Sequence, residues 1–278
     1  EAIDLLIRSY CRAGSDAVLI CPPTFGMYGV AARIQGAAVR EVPLLRAADW
    51  SLDLPGLHSA LHLAPENTAG CAIKLVFLCS PNNPTGNRLD SAAILALVQA
   101  LQGRALVVVD EAYVEFAQAP SLAAQVAANP GLVVLRTLSK AHGLAGVRCG
   151  VAIAHPEVIA LLRKVIQPYA IAQLSIEAIF RSLQPDALAL TRQRIDVVRA
   201  ERARVTTALQ GMPGVRRVWD SEANFLLVEF DDAGAAVARA HAAGLLLRDL
   251  RAAPQLGEAV RISIGTREHN ERLLACLR

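Results

Sequence analysis

No stretch of this sequence holds about 18 or more uncharged apolar residues in a row, so nothing in it reads as a membrane-spanning helix. A basic and apolar leader is not expected either, since Glu1 opens an amphipathic helical pattern, EAIDLLIRSYCR. The cysteines Cys11, Cys21, Cys71, Cys79, Cys149 and Cys276 include no C-x-x-C pair, and most lie in apolar runs where a free thiol packs as a small hydrophobe. That spacing indicates neither a disulfide framework nor a zinc site. The histidines His58, His62, His155, His241 and His269 are dispersed without metal-ligand spacing, and Gly143, Gly146 and Gly150 do not form G-x-G-x-x-G. A metal centre and a dinucleotide fold are therefore not expected. Net charge is only +3, with arginines and acids interleaved, so the field of a nucleic-acid binder is absent while small anionic substrates remain compatible. The expectation is a cytoplasmic enzyme-sized chain without nucleic-acid or membrane partners.

What is present is apolar mass: 54% hydrophobic residues in 278, enough for one large core or for a larger and a smaller domain. The opening helical pattern has no N-cap residue before it, which points to an element that starts upstream of Glu1. Short apolar runs at Ala17–Cys21, Leu75–Cys79, Ala105–Val109, Leu132–Leu135 and Cys149–Ala154 lack polar alternation, as strands buried on both faces do. Helical patterns separate them at Tyr28–Gln35, Ser91–Gln102 and Pro156–Val165, with Asp90 and Ser91 offering an N-cap and Pro156 suiting a first helical position. The fold class expected is α/β, a mainly parallel sheet flanked by helices. From Pro185 the texture changes to a long charged helix, Asp186–Leu209, and then a smaller α+β unit. Its strands are expected at Asn224–Glu229, Leu245–Leu247 and Ala259–Ile264, its helices at Ala233–Ala243 and Arg267–Leu277. Residues 1–184 then form a large domain and residues 185–278 a small C-terminal one that includes the connecting helix.

Polar residues follow three of the apolar runs directly. Leu75–Cys79 leads into SPNNPTG, Ala105–Val109 into DEAY, and Leu132–Leu135 into RTLSK. In an open parallel sheet the carboxyl ends of strands face one ligand crevice, so an amide, a carboxylate, a phenol, hydroxyls and an amine are expected to converge. Pyridoxal 5'-phosphate needs that inventory. Lys140 supplies an amine for the imine and for proton transfer, and Asp110 a carboxylate for the pyridine nitrogen. Asn83 and Tyr113 suit the phenolate oxygen, and Thr137, Ser139 and Arg148 the phosphate. Each has a bland alternative: Asp110 as a cap and Asn83 as turn chemistry, Lys140 as a solvated side chain. The other lysines, Lys74 and Lys164, lack such company. His142, beside Lys140, reads as packing or surface, and the arginines of the long helix as a solvated face.

The strings CPPTFGMY (Cys21–Tyr28), CSPNNPTG (Cys79–Gly86), VVVDEAYVEF (Val107–Phe116), RTLSKAHGLAGVRCG (Arg136–Gly150) and VRISIGTREHN (Val260–Asn270) resemble the histidinol-phosphate aminotransferase family, in its order and approximate spacing. The resemblance implies a pyridoxal-phosphate transaminase of fold type I, a homodimer, exchanging an amino group between L-histidinol phosphate and 2-oxoglutarate, with glutamate as the counterpart. It implies Phe25 against the cofactor ring, where relatives often carry tyrosine, Arg261 for an α-carboxylate, and Arg248 near the substrate phosphate. Asn83 then serves substrate as well as cofactor. The family also carries an additional N-terminal segment, with a phosphate-binding turn of which Glu1 is the end, so the sequence resembles an N-terminally truncated member. Competing readings are an aromatic-amino-acid aminotransferase, a threonine-phosphate decarboxylase, and a non-catalytic fragment. An S-x-x-K acyl enzyme is disfavoured because Thr137 stands where serine is needed.

Overall fold

A computed structural model describes residues 1–62 and 71–278, with the side chain of His62 outside the description. Its first sheet has six strands: β1 Asp16–Ile20, β2 Ala38–Glu41, β3 Ala72–Cys79, β4 Leu106–Asp110, β5 Leu132–Thr137 and β6 Gly150–Ile153, in the order β2-β1-β3-β4-β5-β6. Neighbours run parallel except β6, which lies antiparallel on β5. The mainly parallel sheet agrees with the uniformly apolar runs of the sequence.

Side chains alternate across the strands, and the two sets meet different helices. Val18, Ile20, Leu75, Phe77 and Val108 pack with α1 (Ala2–Tyr10), α2 (Met27–Gln35) and α5 (Pro156–Val165). Leu19, Val76, Leu78, Val107 and Val109 pack on the other face with α3 (Leu54–His62), α4 (Ser91–Ala100) and a 3-10 helix at Leu122–Ala128. Asp90 caps α4 by accepting from the Ala92 amide at 2.9 Å, and Pro156 occupies the first turn of α5.

After α6 (Gln173–Ser182) and the 26-residue α7 (Pro185–Gln210) comes a second, wholly antiparallel sheet. Its order is β7-β8-β10-β9, from β7 Val215–Val218, β8 Phe225–Phe230, β9 Arg248–Asp249 and β10 Ala259–Ser263. Val228, Phe230, Val260 and Ile262 face α7, α8 (Ala233–Ala242) and α9 (Arg267–Leu277). Phe225 and Leu227 point the other way, into clusters shared with Tyr113 and with Trp50 of the first sheet's layer. The same alternation turns Arg261, opposite Leu227, away from the helices.

One expected strand is not formed. Leu245–Leu247 stays irregular because the Leu245 amide bonds back to Ala240 O at the end of α8, across Gly244 at φ 74°, and pairing begins only at Arg248. The strands β2, β7 and β9 and the helices α3 and α6 had no sequence forecast.

Gly86 sets the approach of the two sheets. Its φ is 83°, and a Cβ there would stand 2.5 Å from Ser221 Oγ, while its carbonyl accepts the Glu222 amide at 2.8 Å. Only glycine meets both demands, so the loop that carries Asn83 is held against the segment entering β8.

Candidate active site

Strands β3, β4 and β5 are neighbours whose ends are in register, Cys79 opposite Asp110 and Asp110 opposite Leu135. The loops that leave them bring Asn83, Tyr113 and Lys140 over one rim. There a cleft of about 840 Å³ opens between the sheets, and Phe25, Asn83, Asp110, Tyr113, Lys140, Arg248 and Arg261 all line it. Cores of α/β sheets place ligand crevices at this edge.

Asp110 forms the floor, only 8% exposed. Burial raises its pKa, against the pull of the Tyr28 hydroxyl, the Ala112 amide and the Lys140 charge. The hydroxyl donates to Oδ2 at 2.8 Å and the amide to Oδ1 at 3.1 Å. Lys140 shifts the opposite way: desolvation and then the Arg261 charge lower its pKa, with Asp110 opposing. A larger share of its amine is thus neutral than in a free lysine. Its Nζ lies 5.3 Å from the centre of the Tyr113 ring, and that ring meets Phe225 edge-on at 5.1 Å. Burial pushes the Tyr113 phenol up to about 12. It stays protonated and can donate at any ordinary pH.

The opposite wall is cationic. Arg261 on β10 donates from Nη1 to Asn83 Oδ1 at 2.6 Å and sits 5.1 Å from the Phe225 ring centre. Its Nε is buried with no acceptor. Arg248 on β9 is its register partner, and among the described residues neither guanidinium has a carboxylate within ion-pairing distance. Two facing arginines with an unanswered donor make a site for an anion.

The remaining candidates do not line the cleft. Thr137 Oγ1 lies 2.9 Å from Ser139 Oγ, accepts from the Ser139 amide and has the Cys149 carbonyl as acceptor at 3.1 Å, so its hydroxyl is engaged within the loop. Arg148, at φ 60° after a 3-10 turn, folds its Nη1 back onto Ala145 O at 3.0 Å and is exposed. All three flank the loop that carries Lys140. Glu111, beside Asp110, is turned away, accepting the Ser121 hydroxyl and, at 2.7 Å, the Leu122 amide. His142 is half-buried and lies outside the cleft.

Sequence reasoning passed over several lining groups: Cys79, Arg33, Glu41 and the segment from Ala253 to Leu256. It also passed over Tyr28, fully buried beneath the cleft, stacked on Phe77 at 4.9 Å and edge-on to Phe25 at 5.6 Å. Asn82, next to Asn83, has a bracing place, donating to Pro23 O and Thr85 Oγ1 and accepting from Thr24.

The family model described as aminotransferase class I and II matches residues 1–277. Over 277 residues the chain is 52% identical to a histidinol-phosphate aminotransferase of Stenotrophomonas maltophilia (strain R551-3), spanning 100% of this chain and 74% of that one. The chain belongs to the histidinol-phosphate aminotransferase family. Solved structures agree on the fold of that family. The histidinol-phosphate aminotransferase from Clostridium acetobutylicum superimposes with a TM-score of 0.87 at 20% identity, over 99% of this chain and 79% of that one. The histidinol-phosphate aminotransferase from Sinorhizobium meliloti, solved in complex with pyridoxal-5'-phosphate, gives 0.84 at 24% identity, over 99% and 73%.

The donor set fits such a cofactor at its ring end. An amine whose pKa burial lowers, a buried carboxylate, a phenol and an amide oppose two arginines across one cleft. At the phosphate end Thr137, Ser139 and Arg148 stand beside the cleft, engaged with one another or with backbone.

Proposed function

We propose that this chain is a pyridoxal-phosphate aminotransferase exchanging the amino group between L-histidinol phosphate and 2-oxoglutarate in histidine biosynthesis. The observation that carries the reading is the facing of Lys140, Asp110 and Tyr113 by Arg261 and Arg248 across a single cleft. When bound, the cofactor supplies an aldehyde that takes up the amino group and a ring that draws electrons from the carbon losing its proton. In this reading Lys140 would hold the cofactor through its Nζ, and as a free amine would be the base for the proton on the substrate's α-carbon. Asp110 holds a proton at the pyridine nitrogen through its buried carboxylate. Tyr113 and Asn83 donate to the phenolate oxygen, and Phe25 covers a ring face. Thr137, Ser139 and Arg148 turn to the phosphate. Arg261 receives the α-carboxylate of glutamate in its planar fork, and Arg248 the phosphate of histidinol phosphate.

The same reading takes residues 1–184 as the cofactor domain and residues 185–278 as the small domain. It also takes the active form as a homodimer. Helix α6 buries none of its residues, and Leu174, Phe180 and the neighbouring Tyr169 are 79%, 64% and 99% exposed. An apolar surface of that kind suits a second copy. None of the described helices is long and apolar enough to cross a membrane, and among the described residues no cysteine is in a disulfide, which suits a reducing cytoplasm.

The test is an absorbance spectrum after adding pyridoxal phosphate, repeated with histidinol phosphate, followed by turnover with 2-oxoglutarate. A cofactor band that histidinol phosphate shifts, with turnover above that of phenylalanine, is expected. Equal or faster turnover of phenylalanine refutes the substrate, and no band refutes the cofactor.

A further inference from the structure

Asp110 has a partner that the reading above does not use. Tyr28, on α2, is fully buried, and its hydroxyl meets Oδ2 of Asp110 at 2.8 Å across 82 positions of sequence. Any buried phenol needs an acceptor, and a backbone carbonyl would satisfy one at less cost than a carboxylate that must itself leave water. The choice of a carboxylate therefore asks for a reason.

The groups facing Asp110 supply it. From β3 comes the Cys79 thiol, donating to Pro81 O at 3.4 Å. From the segment after β4 come the Ala112 amide and the Tyr113 phenol, and from the loop after β5 the Lys140 amine. Of these, Lys140 offers Asp110 a full charge, and it withdraws that support whenever it gives up its proton. Tyr28 does not. Burial and the neighbouring Asp110 charge raise its phenol well above 10, so it remains a neutral donor throughout. Its ring is fixed between Phe77 and Phe25, which leaves the hydroxyl little freedom to look elsewhere.

We propose that Tyr28 is a positioning residue for Asp110, whose hydroxyl holds Oδ2 so that the carboxylate stays ionised and turned toward the cleft whatever the charge on Lys140. The proposal rests on the assignment of Asp110 to the pyridine nitrogen of pyridoxal phosphate. With the Ala112 amide on Oδ1 and Tyr28 on Oδ2, each oxygen keeps a lone pair for that nitrogen's proton, and the carboxylate plane is fixed by two donors on different elements.

The test is Tyr28→Phe, which keeps the stacked ring and deletes one oxygen. In the cofactor-free protein, the Asp110 carboxyl is followed by carbon NMR across a pH titration; in the loaded protein, cofactor affinity is read from absorbance. The expected result is an Asp110 titration moved upward and a cofactor dissociation constant raised by about ten-fold, the loss of one hydrogen bond to a charged group. A wild-type-like titration overturns the proposal, and so does a displaced titration with affinity within two-fold of wild type. Because the titration needs no cofactor, failure of Tyr28 to act on Asp110 is separable from failure of the cofactor assignment, which shows as wild-type protein that develops no absorbance band. If Y28F does not fold, the unaltered protein decides: a slowly exchanging Tyr28 hydroxyl proton close to the Asp110 carboxyl supports the proposal, and one exchanging at the solvent rate overturns it.

Discussion

Replacing Arg261 by methionine separates what this residue does for the fold from what it does for a substrate. The guanidinium loses one bond, Nη1 to Asn83 Oδ1 at 2.6 Å, which a charged donor makes worth about 1.5 kcal/mol. Two costs disappear with it. Nε is buried without an acceptor, a penalty of about 1 kcal/mol, and Arg248 stands directly across the strand pair as a like charge, a penalty of a few tenths up to about 1 kcal/mol. Methionine also keeps an apolar stem against Phe225. Gains and losses cancel to within about 1 kcal/mol, so the melting temperature is expected to stay within about 4 °C of wild type. Turnover behaves differently. Loss of a forked, charge-assisted contact to a carboxylate is expected to lower kcat/KM for glutamate by about 10²–10³-fold. Arg261→Lys, which restores charge but not the fork, recovers part of that. Calorimetry beside steady-state kinetics decides. A melting temperature lowered by more than about 8 °C shows that Arg261 holds the fold together, and activity within ten-fold of wild type shows that it does not hold the substrate.

Lys140→Ala is expected to abolish the cofactor absorbance band and turnover while leaving the melting temperature within about 2 °C, because the amine borders the cleft. In wild-type protein the rate of cofactor attachment should rise with pH about a midpoint below the ordinary lysine value of 10.5, since burial and Arg261 lower the Lys140 pKa; a midpoint above 10.5 contradicts this. Glu201 on α7 accepts from Arg204 and from Asn270 of α9, which holds its carboxyl near 2 instead of 4.5. That stabilisation is complete above about pH 4.5 and is lost as pH falls through 2, so Glu201→Gln should cost about 1–2 kcal/mol at pH 7 and about 0.4 kcal/mol or less at pH 2, measured by denaturant titration at both. Glu229 accepts the Trp219 Nε1 proton and the Arg46 guanidinium, both at 2.7 Å, where the two sheets meet. Glu229→Ala leaves the buried indole donor unpaired, for about 2 kcal/mol, and should shift tryptophan emission; an unchanged spectrum and melting curve rule the contact out as a tie between the sheets.

The inner strands of the first sheet were legible because β1, β4, β5 and the second half of β3 are buried almost throughout and carry unbroken apolar runs. At the edges β6 was foreseen from its apolar run although it is partly exposed, and β2 was not. β2 is Ala-Val-Arg-Glu, partly covered and half charged, and it becomes a strand only because β1 offers it a ladder. The direction of β6 is written in what precedes it: a parallel neighbour needs a crossover, usually a helix, and between Thr137 and Gly150 there is only a short 3-10 turn at Ala145–Val147. The three leucines Leu245 to Leu247 looked like a strand through composition alone, yet Leu246 is 87% exposed and Leu245 is tied to the helix before it. Helix α6 was hard to read because none of its residues is fully buried: Leu174 and Phe180 are exposed while Ile176 and Ile179 are only partly covered.

For the site, the rule that polar residues after parallel strands share one crevice brought Asn83, Asp110, Tyr113 and Lys140 together, because β3, β4 and β5 are adjacent and in register. The arginines needed the second sheet, and there the period of two that buries Val260 and Ile262 forces Arg261 to the opposite side. Tyr28 had no such rule to reveal it. In the sequence it is one more apolar position at the start of a helix, and its hydroxyl acquires meaning only when α2, packed over β1 and β2, sends this side chain on to Phe77 of β3 and Asp110 of β4. A buried carboxylate at a strand end nevertheless implies donors that arrive from another layer, since its own strand and the adjoining turn supply one amide and no more. In a flanking helix the residue that reaches that depth while remaining apolar along its length is a tyrosine, and among the described residues Tyr28 is the one whose phenol reaches Asp110.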